Sequence, residues 1–192
     1  MSTLIDLCDT SLTDKYAHSY LEVYETLFKD IKYSVKNLLE IGIHHGGSIK
    51  LWHDYFINAN VTGIDCLSLS ELHSINHNIR EILELPNVNC HLSTDAYNIS
   101  FINNTFSNNT FDILIDDGPH TLESMIQFIK YYSPLMNNSG ILIIEDIQSM
   151  TWLDSLRDSV PEDLKKFIKV YDLRFKKNSY DSVLFVINKN IS

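Results

Sequence analysis

Several kinds of residue and run are scarce in this sequence, and each shortage removes a class of protein. Basic residues are few: 15 Lys and Arg stand against 25 Asp and Glu, for a net charge of −10. They are scattered along the chain, so no basic face is available for a nucleic-acid backbone, and no nucleic-acid partner is expected. Cysteine is scarce too. Cys8, Cys66 and Cys90 lie far apart, lack the C-x-x-C of a zinc or redox site, and suit a reducing compartment. No apolar run approaches the roughly 20 residues of a membrane span. The opening MSTLIDLCDTSLTDK lacks the apolar core of a signal peptide. The expectation is a cytoplasmic protein with no membrane partner. G-x-G-x-x-G is also missing, which disfavours a dinucleotide held by its pyrophosphate.

What is present is ordinary globular composition, 44% hydrophobic and 21% charged over 192 residues, enough for one domain with a sizeable core. Apolar runs of strand length alternate with helical periodicity. Strands are expected at 37–42, 61–65, 88–92, 111–116 and 140–144. Helices are expected at 48–56, 69–83 and 122–132. Two last runs, 164–173 and 182–188, read as strands around the polar turn 176–179. This order implies an α/β fold: a mostly parallel seven-stranded sheet with helices on both faces and a late antiparallel hairpin strand. Residues 1–34 read as an N-terminal helical extension and 35–192 as the core of a single domain. Tyr20, Tyr24, Leu27 and Phe28 form one stripe on that extension. The stripe either packs the helix onto the sheet or, with no separate acceptor domain in view, serves a homodimer or higher homo-oligomer. Asn103–Thr110, NNTFSNNT, reads as a polar loop.

Ligands of open α/β sheets bind at the carboxyl ends of the strands. Gly42, Asp65, Asp95, Asp116, Asp117, Glu145 and Asp146 all fall at or just after such ends. Acids converging on one rim call for a ligand with hydroxyls, positive charge or a metal. The loop EIGIHHGGS, residues 40–48, puts a glycine directly after the first strand, where a ligand can approach the backbone. Asp65 ends the second strand about twenty residues on, a place suited to ribose hydroxyls. With no phosphate grip beside them, S-adenosylmethionine fits this pair better than NAD. Ser93, Thr94 and Asp95 could then meet the adenine.

FDILIDDGPH, residues 111–120, ends a greasy strand in two aspartates and adds His120. Asp117, Glu145 and Asp146, from neighbouring strand ends, can make a hard oxygen site suited to Mg²⁺. His120 can act as a general base. The plainer alternative has Asp117 capping the helix that starts near Thr121, with His120 facing solvent. His44-His45 reads as loop surface, and His73 with His77 as a solvated helix face.

LLEIGIHHGGSIKLWHDYF, GIDC, FDILIDDGPH and ILIIEDIQ, in that order, resemble the class I S-adenosylmethionine-dependent methyltransferases. More narrowly, they resemble the metal-dependent sugar O-methyltransferases related to macrocin and rhamnosyl O-methyltransferases. TDKYAHSYLEVYETLF, residues 13–28, resembles the segment preceding the fold in that group. The resemblance implies a Rossmann-like methyltransferase fold, S-adenosylmethionine and Mg²⁺ as cofactors, and a sugar or nucleotide-sugar substrate. It implies Asp117, Glu145 and Asp146 as metal ligands, with His120 as base and Asp117 beside it in catalysis. Gly42 and Asp65 would hold the cofactor, with Glu40, Gly46, Asp95 and Asp116 completing its candidate set. One departure bears on His120: Pro119 stands where the family usually has serine, and proline removes an N–H. A catechol-like diol could occupy the same metal, and a protein keeping the fold for cofactor binding alone is the other alternative.

Overall fold

The computed structural model describes residues 2–190. Residues 1, 191 and 192, which the expected span 1–192 takes in, lie outside them. The chain divides into two compact units, Met1–Thr94 and Asp95–Ser192.

The first unit carries strands β1 (Asn37–Ile41), β2 (Asn60–Ile64) and β3 (Val88–His91), all parallel, in the order β3-β2-β1. Around them run α1 (Leu4–Leu7), α2 (Tyr20–Phe28), α3 (Gly47–Tyr55), α4 (Leu69–Ile75) and α5 (Ile79–Leu83). The aromatic stripe of α2 is spent within this unit. Tyr24 stacks on Phe28 at 5.3 Å, and Trp52 of α3 meets both edge-on at 5.4 and 6.0 Å. Tyr24, Phe28 and Trp52 are each 0% exposed. Fully burying a large apolar side chain contributes about 1.5–3 kcal/mol, so this cluster holds the N-terminal segment down. The stripe therefore no longer argues for a dimer.

The helix expected over 69–83 breaks at Asn76. Its N–H closes α4 on Leu72, its Oδ1 accepts from Asn78 N–H, and its Nδ2 donates to the His45 carbonyl. A side chain committed to two such bonds with the backbone favours a turn over continued helix.

The second unit carries β4 (Phe111–Asp116), β5 (Met136–Ile144), β6 (Ile168–Asp172) and β7 (Val183–Asn188) in the order β4-β5-β7-β6. β4 and β5 are parallel, and β7 is antiparallel to both β5 and β6. With the first three these make the seven strands of a mixed sheet, β7 supplying the late antiparallel hairpin. The helices are α6 (Ile99–Phe106), α7 (Leu122–Tyr132), α8 (Trp152–Ser159) and the short α9 (Arg174–Lys177). α6 takes in the first half of the expected polar loop, up to Phe106. Asn98 caps it by accepting from Ser100 and Phe101 N–H, and Ile102 and Phe106 are buried. β5 begins four residues earlier than Gly140, because Met136 pairs with Phe111 across a register irregularity. α8 has a weak apolar pattern in sequence; only Leu153 and Leu156 are buried on it. In place of an early start to β6, residues 165–167 form a 3₁₀ turn. Among the described residues no helix is long and apolar enough to cross a membrane.

Candidate active site

In the first unit, β1 delivers Glu40 and then the loop 42–46. Gly42 has φ 93 and donates its N–H to the Ile64 carbonyl at 2.9 Å. Gly46 is the N-cap of α3 with φ 80, and a Cβ there would lie 2.7 Å from Ile79 Cδ1. Conformation and packing both ask for glycine at that position.

Asp65 follows β2 directly and is 8% exposed. Its Oδ2 accepts from the backbone N–H of Ile43 (2.8 Å) and His44 (3.1 Å), and its Oδ1 from Leu67 N–H (2.8 Å). The carboxylate thus shapes the glycine loop from outside it. Glu40 is 0% exposed; its Oε2 accepts from Trp52 Nε1 at 2.9 Å, and its Oε1 lies 3.2 Å from Lys15 Nζ.

In the second unit the residues meet at the ends of β4 and β5. Asp116 points inward, 3% exposed, and its Oδ1 accepts from the Tyr97 phenol at 2.6 Å. Burial pushes the Asp116 carboxyl up to about 6, against the Tyr97 bond, which pulls it down. Burial and the neighbouring Asp116 charge also hold the Tyr97 phenol above its ordinary value. Asp95 is exposed, and its Oδ1 accepts from Tyr97 N–H at 2.9 Å in the turn before α6.

Asp117, on the opposite side of the strand end from Asp116, is half-buried. His120 Nε2 lies 3.8 Å from Asp117 Oδ1 and 3.8 Å from Asp146 Oδ2. Those distances are too long for hydrogen bonds but place one imidazole between two carboxylates. Ligand atoms of Asp117, His120 and Asp146 lie within 4.8 Å of one another, and one oxygen of Glu145 is equally near Asp117. Glu145 itself is 1% exposed, and its N–H donates to the Asp116 carbonyl at 3.0 Å. The carboxylates of Asp117, Glu145 and Asp146 offer oxygen donors of the kind a hard divalent cation takes.

Pro119 does not turn His120 away from the acids. The turn instead gives His120 φ 52, and Asp146 has φ 55. Two non-glycine residues in the left-handed region cost roughly 1 kcal/mol or more each and recur at sites where geometry is over-determined. Asp117 does not cap α7. Thr121 does, accepting from Ser124 N–H at 3.1 Å.

The other candidates stay apart. His44 and His45 face each other, Nδ1 to Nδ1 at 2.8 Å, and His73 pairs with His77 at 5.2 Å between rings. Neither pair has a third ligand among the described residues. The three cysteines are free, and burial raises each thiol, Cys90 to about 11, so none is activated.

Sequence reasoning missed two residues near the site. Tyr97 reaches Asp116 from 19 positions away. Asp181, just before β7, brings a carboxylate oxygen within 4.8 Å of one of Asp146. An acid closing the β6–β7 hairpin, on the edge where β5 ends, is the pattern that would point to it.

No protein-family model matches the chain. It is 27% identical over 148 residues to the 8-demethyl-8-α-L-rhamnosyl tetracenomycin-C 2'-O-methyltransferase of Streptomyces olivaceus, a match covering 73% of this chain and 36% of that one. It is 27% identical over 158 residues to the mycinamicin VI 2''-O-methyltransferase of Micromonospora griseorubida, covering 78% and 37%. The chain thus spans little more than a third of the length of these relatives. Among solved structures it superposes on the MycE methyltransferase of the mycinamycin pathway, in complex with Mg and SAH, with TM-score 0.72 and 20% identity. That match covers 100% of this chain and 56% of the other. The chain has the Rossmann-like fold of class I methyltransferases, and in sequence it is similar to the sugar O-methyltransferases.

Proposed function

We propose that the protein is an S-adenosylmethionine-dependent, Mg²⁺-dependent O-methyltransferase acting on a sugar hydroxyl, free as a nucleotide sugar or carried on a glycoside. The observation that carries this is the grouping of Asp117, His120 and Asp146 at the ends of β4 and β5, ligand atoms within 4.8 Å of one another. The relatives are named for methylation of sugar hydroxyls, and the superposed structure for Mg and SAH. Both support the same reading.

In this proposal Gly42, Gly46 and Asp65 shape the loop that receives the cofactor. Glu40 backs that loop, and Asp95 and Asp116 belong to the cofactor set in the second unit. Asp117, Glu145 and Asp146 hold the cation. A cation held there would lower the pKa of a sugar hydroxyl, and S-adenosylmethionine would supply the methyl group. His120 would accept the hydroxyl proton on Nε2 as the oxygen takes the methyl group and the sulfur keeps the electron pair of the bond that breaks. The imidazole is well placed for this because its Nε2 lies 3.8 Å from a carboxylate oxygen of Asp117 and of Asp146, beside the place the cation would take. Holding acceptor and donor in line supplies much of the remaining rate.

The test is incubation with methyl-labelled S-adenosylmethionine, Mg²⁺ and a panel of deoxysugar nucleotides, glycosides and catechols. Label should pass to a sugar, stop in chelator and return with Mg²⁺. Label passing only to catechols would move the substrate assignment. Full transfer in chelator would remove the cation from the reaction.

A further inference from the structure

The segment before α2 contains Thr13-Asp14-Lys15, a polar stretch that reads as surface. Lys15 is nonetheless 0% exposed. Lysine is almost never fully buried unless paired, and its ammonium lies 3.2 Å from Glu40 Oε1, with Glu40 also 0% exposed. The other Glu40 oxygen accepts from the Trp52 indole. One carboxylate therefore joins the N-terminal segment, the end of β1 and the helix α3. These elements bracket the loop 42–46.

A second contact pins the same segment. The Leu12 carbonyl lies so close to the start of α3 that a Cβ on Gly47 would be 2.3 Å from its oxygen. The segment holds its own shape, with Leu12 N–H on the Asp9 carbonyl and Tyr20 N–H on the Lys15 carbonyl, both at 3.0 Å. The far side of the loop is held by Asp65, on Ile43 and His44 N–H, and by Asn76, on the His45 carbonyl.

We infer that Lys15 is a positioning residue for the glycine loop: it pins residues 9–15 across the start of α3 and, through Glu40, fixes the loop in the shape that binds the cofactor. This rests on the reading that loop 42–46 receives S-adenosylmethionine. Stability alone is a poor explanation for the pair. A buried ion pair is often no better than apolar groups of the same volume, although removing one partner is costly. The pair differs from an apolar contact in direction: it fixes where Glu40 and the segment sit.

Lys15→Met alone strands a buried carboxylate and can fail to fold. The informative variant is Lys15→Met/Glu40→Gln, which removes both charges and keeps an acceptor for Trp52. Two measurements follow: hydrogen–deuterium exchange of the amides of residues 43–47 without ligand, and calorimetric affinity for S-adenosylhomocysteine. If Lys15 positions the loop, the double variant unfolds near the wild-type temperature. Its loop amides nevertheless exchange roughly tenfold faster and its affinity falls roughly tenfold, the worth of one charge-assisted bond. Wild-type exchange and wild-type affinity in a folded double variant overturn the inference and return Lys15 to the core. Should the double variant not fold, Trp52→Phe takes the indole donor from Glu40 and leaves a phenyl ring in the aromatic cluster. About tenfold faster exchange in the same amides is then expected, since a bond to a charged acceptor is lost, and unchanged exchange overturns the inference. A wild type that binds no S-adenosylhomocysteine refutes the functional reading. Exchange then decides the position of Lys15 by itself, faster upholding the pin and unchanged refuting it.

Discussion

Replacing Asp116 by asparagine should make the protein more stable at neutral pH, although Asp116 sits in a hydrogen bond. The Asp116 carboxyl is 3% exposed and burial raises it from 3.8 to about 6. At about 1.4 kcal/mol per pH unit, ionising it in the folded protein costs about 3 kcal/mol more than in the unfolded chain. Between those two values the folded state binds more protons than the unfolded state. The contribution of this group is therefore fully present below about pH 4 and is lost as the pH rises through about 6. Asparagine keeps an acceptor for the Tyr97 phenol and carries no charge. Its amide faces the Gly118 N–H that now donates to the carboxylate, at a cost of about 1 kcal/mol. The balance is a gain of about 2 kcal/mol at pH 8 and a small loss at pH 4. Urea unfolding across pH 4–8, in chelator so that no adventitious cation enters the neighbouring acids, reads it directly. Tyr97→Phe should move the other way, losing about 1.5–3 kcal/mol at pH 8 and less at pH 4, since a bond to a charged acceptor is removed. Parallel pH profiles for wild type and Asp116→Asn, or a loss of several kcal/mol at pH 8, would refute the reasoning.

Asp65→Ala removes the acceptor of three backbone N–H groups; it should cost about 3 kcal/mol in urea unfolding and weaken S-adenosylhomocysteine in calorimetry, with Asp65→Asn intermediate. His120→Asn suits the left-handed backbone at φ 52, so its melting temperature should match wild type while turnover falls roughly a hundredfold. Asp117→Asn should weaken Mg²⁺ in a titration and lower turnover at limiting Mg²⁺, with partial recovery as Mg²⁺ rises. Gly47→Ala should be destabilised by about 2 kcal/mol or more, since its methyl meets a backbone carbonyl that cannot swing aside; wild-type stability would show that residues 9–15 can lift off α3.

The strands were legible in the sequence because of where they lie. β4, β5 and β7 are covered on both faces over most of their length, so they read as continuous apolar runs bounded by polar residues. α6 was not legible for the opposite reason. Half of its residues are Asn, Thr and Ser, weak helix formers that favour caps and turns. The burial of Ile102 and Phe106, with the cap at Asn98, decides the matter. Tertiary packing outweighed local preference there, and neither term has a periodic signature strong enough to see in eight residues.

The adjacent pair Asp116-Asp117 shows what pattern can and cannot say about a site. Neighbouring residues at a strand end point to opposite sides, so a single sequence position separates two different fates. Asp116 turns into the protein, meets Tyr97 and is pushed toward neutrality by burial. Asp117 turns outward to His120 and Asp146. Period two alone predicts that the two must differ. It cannot say which one faces inward, because that depends on Tyr97, which is 19 residues away. The same limit hides the work of Asp65, whose partners on the glycine loop lie 21 and 22 residues back. Acids gathered at strand ends mark a site in sequence. Whether each one grips the protein or is left to grip a ligand is set by backbone donors and phenols that only the folded chain brings near.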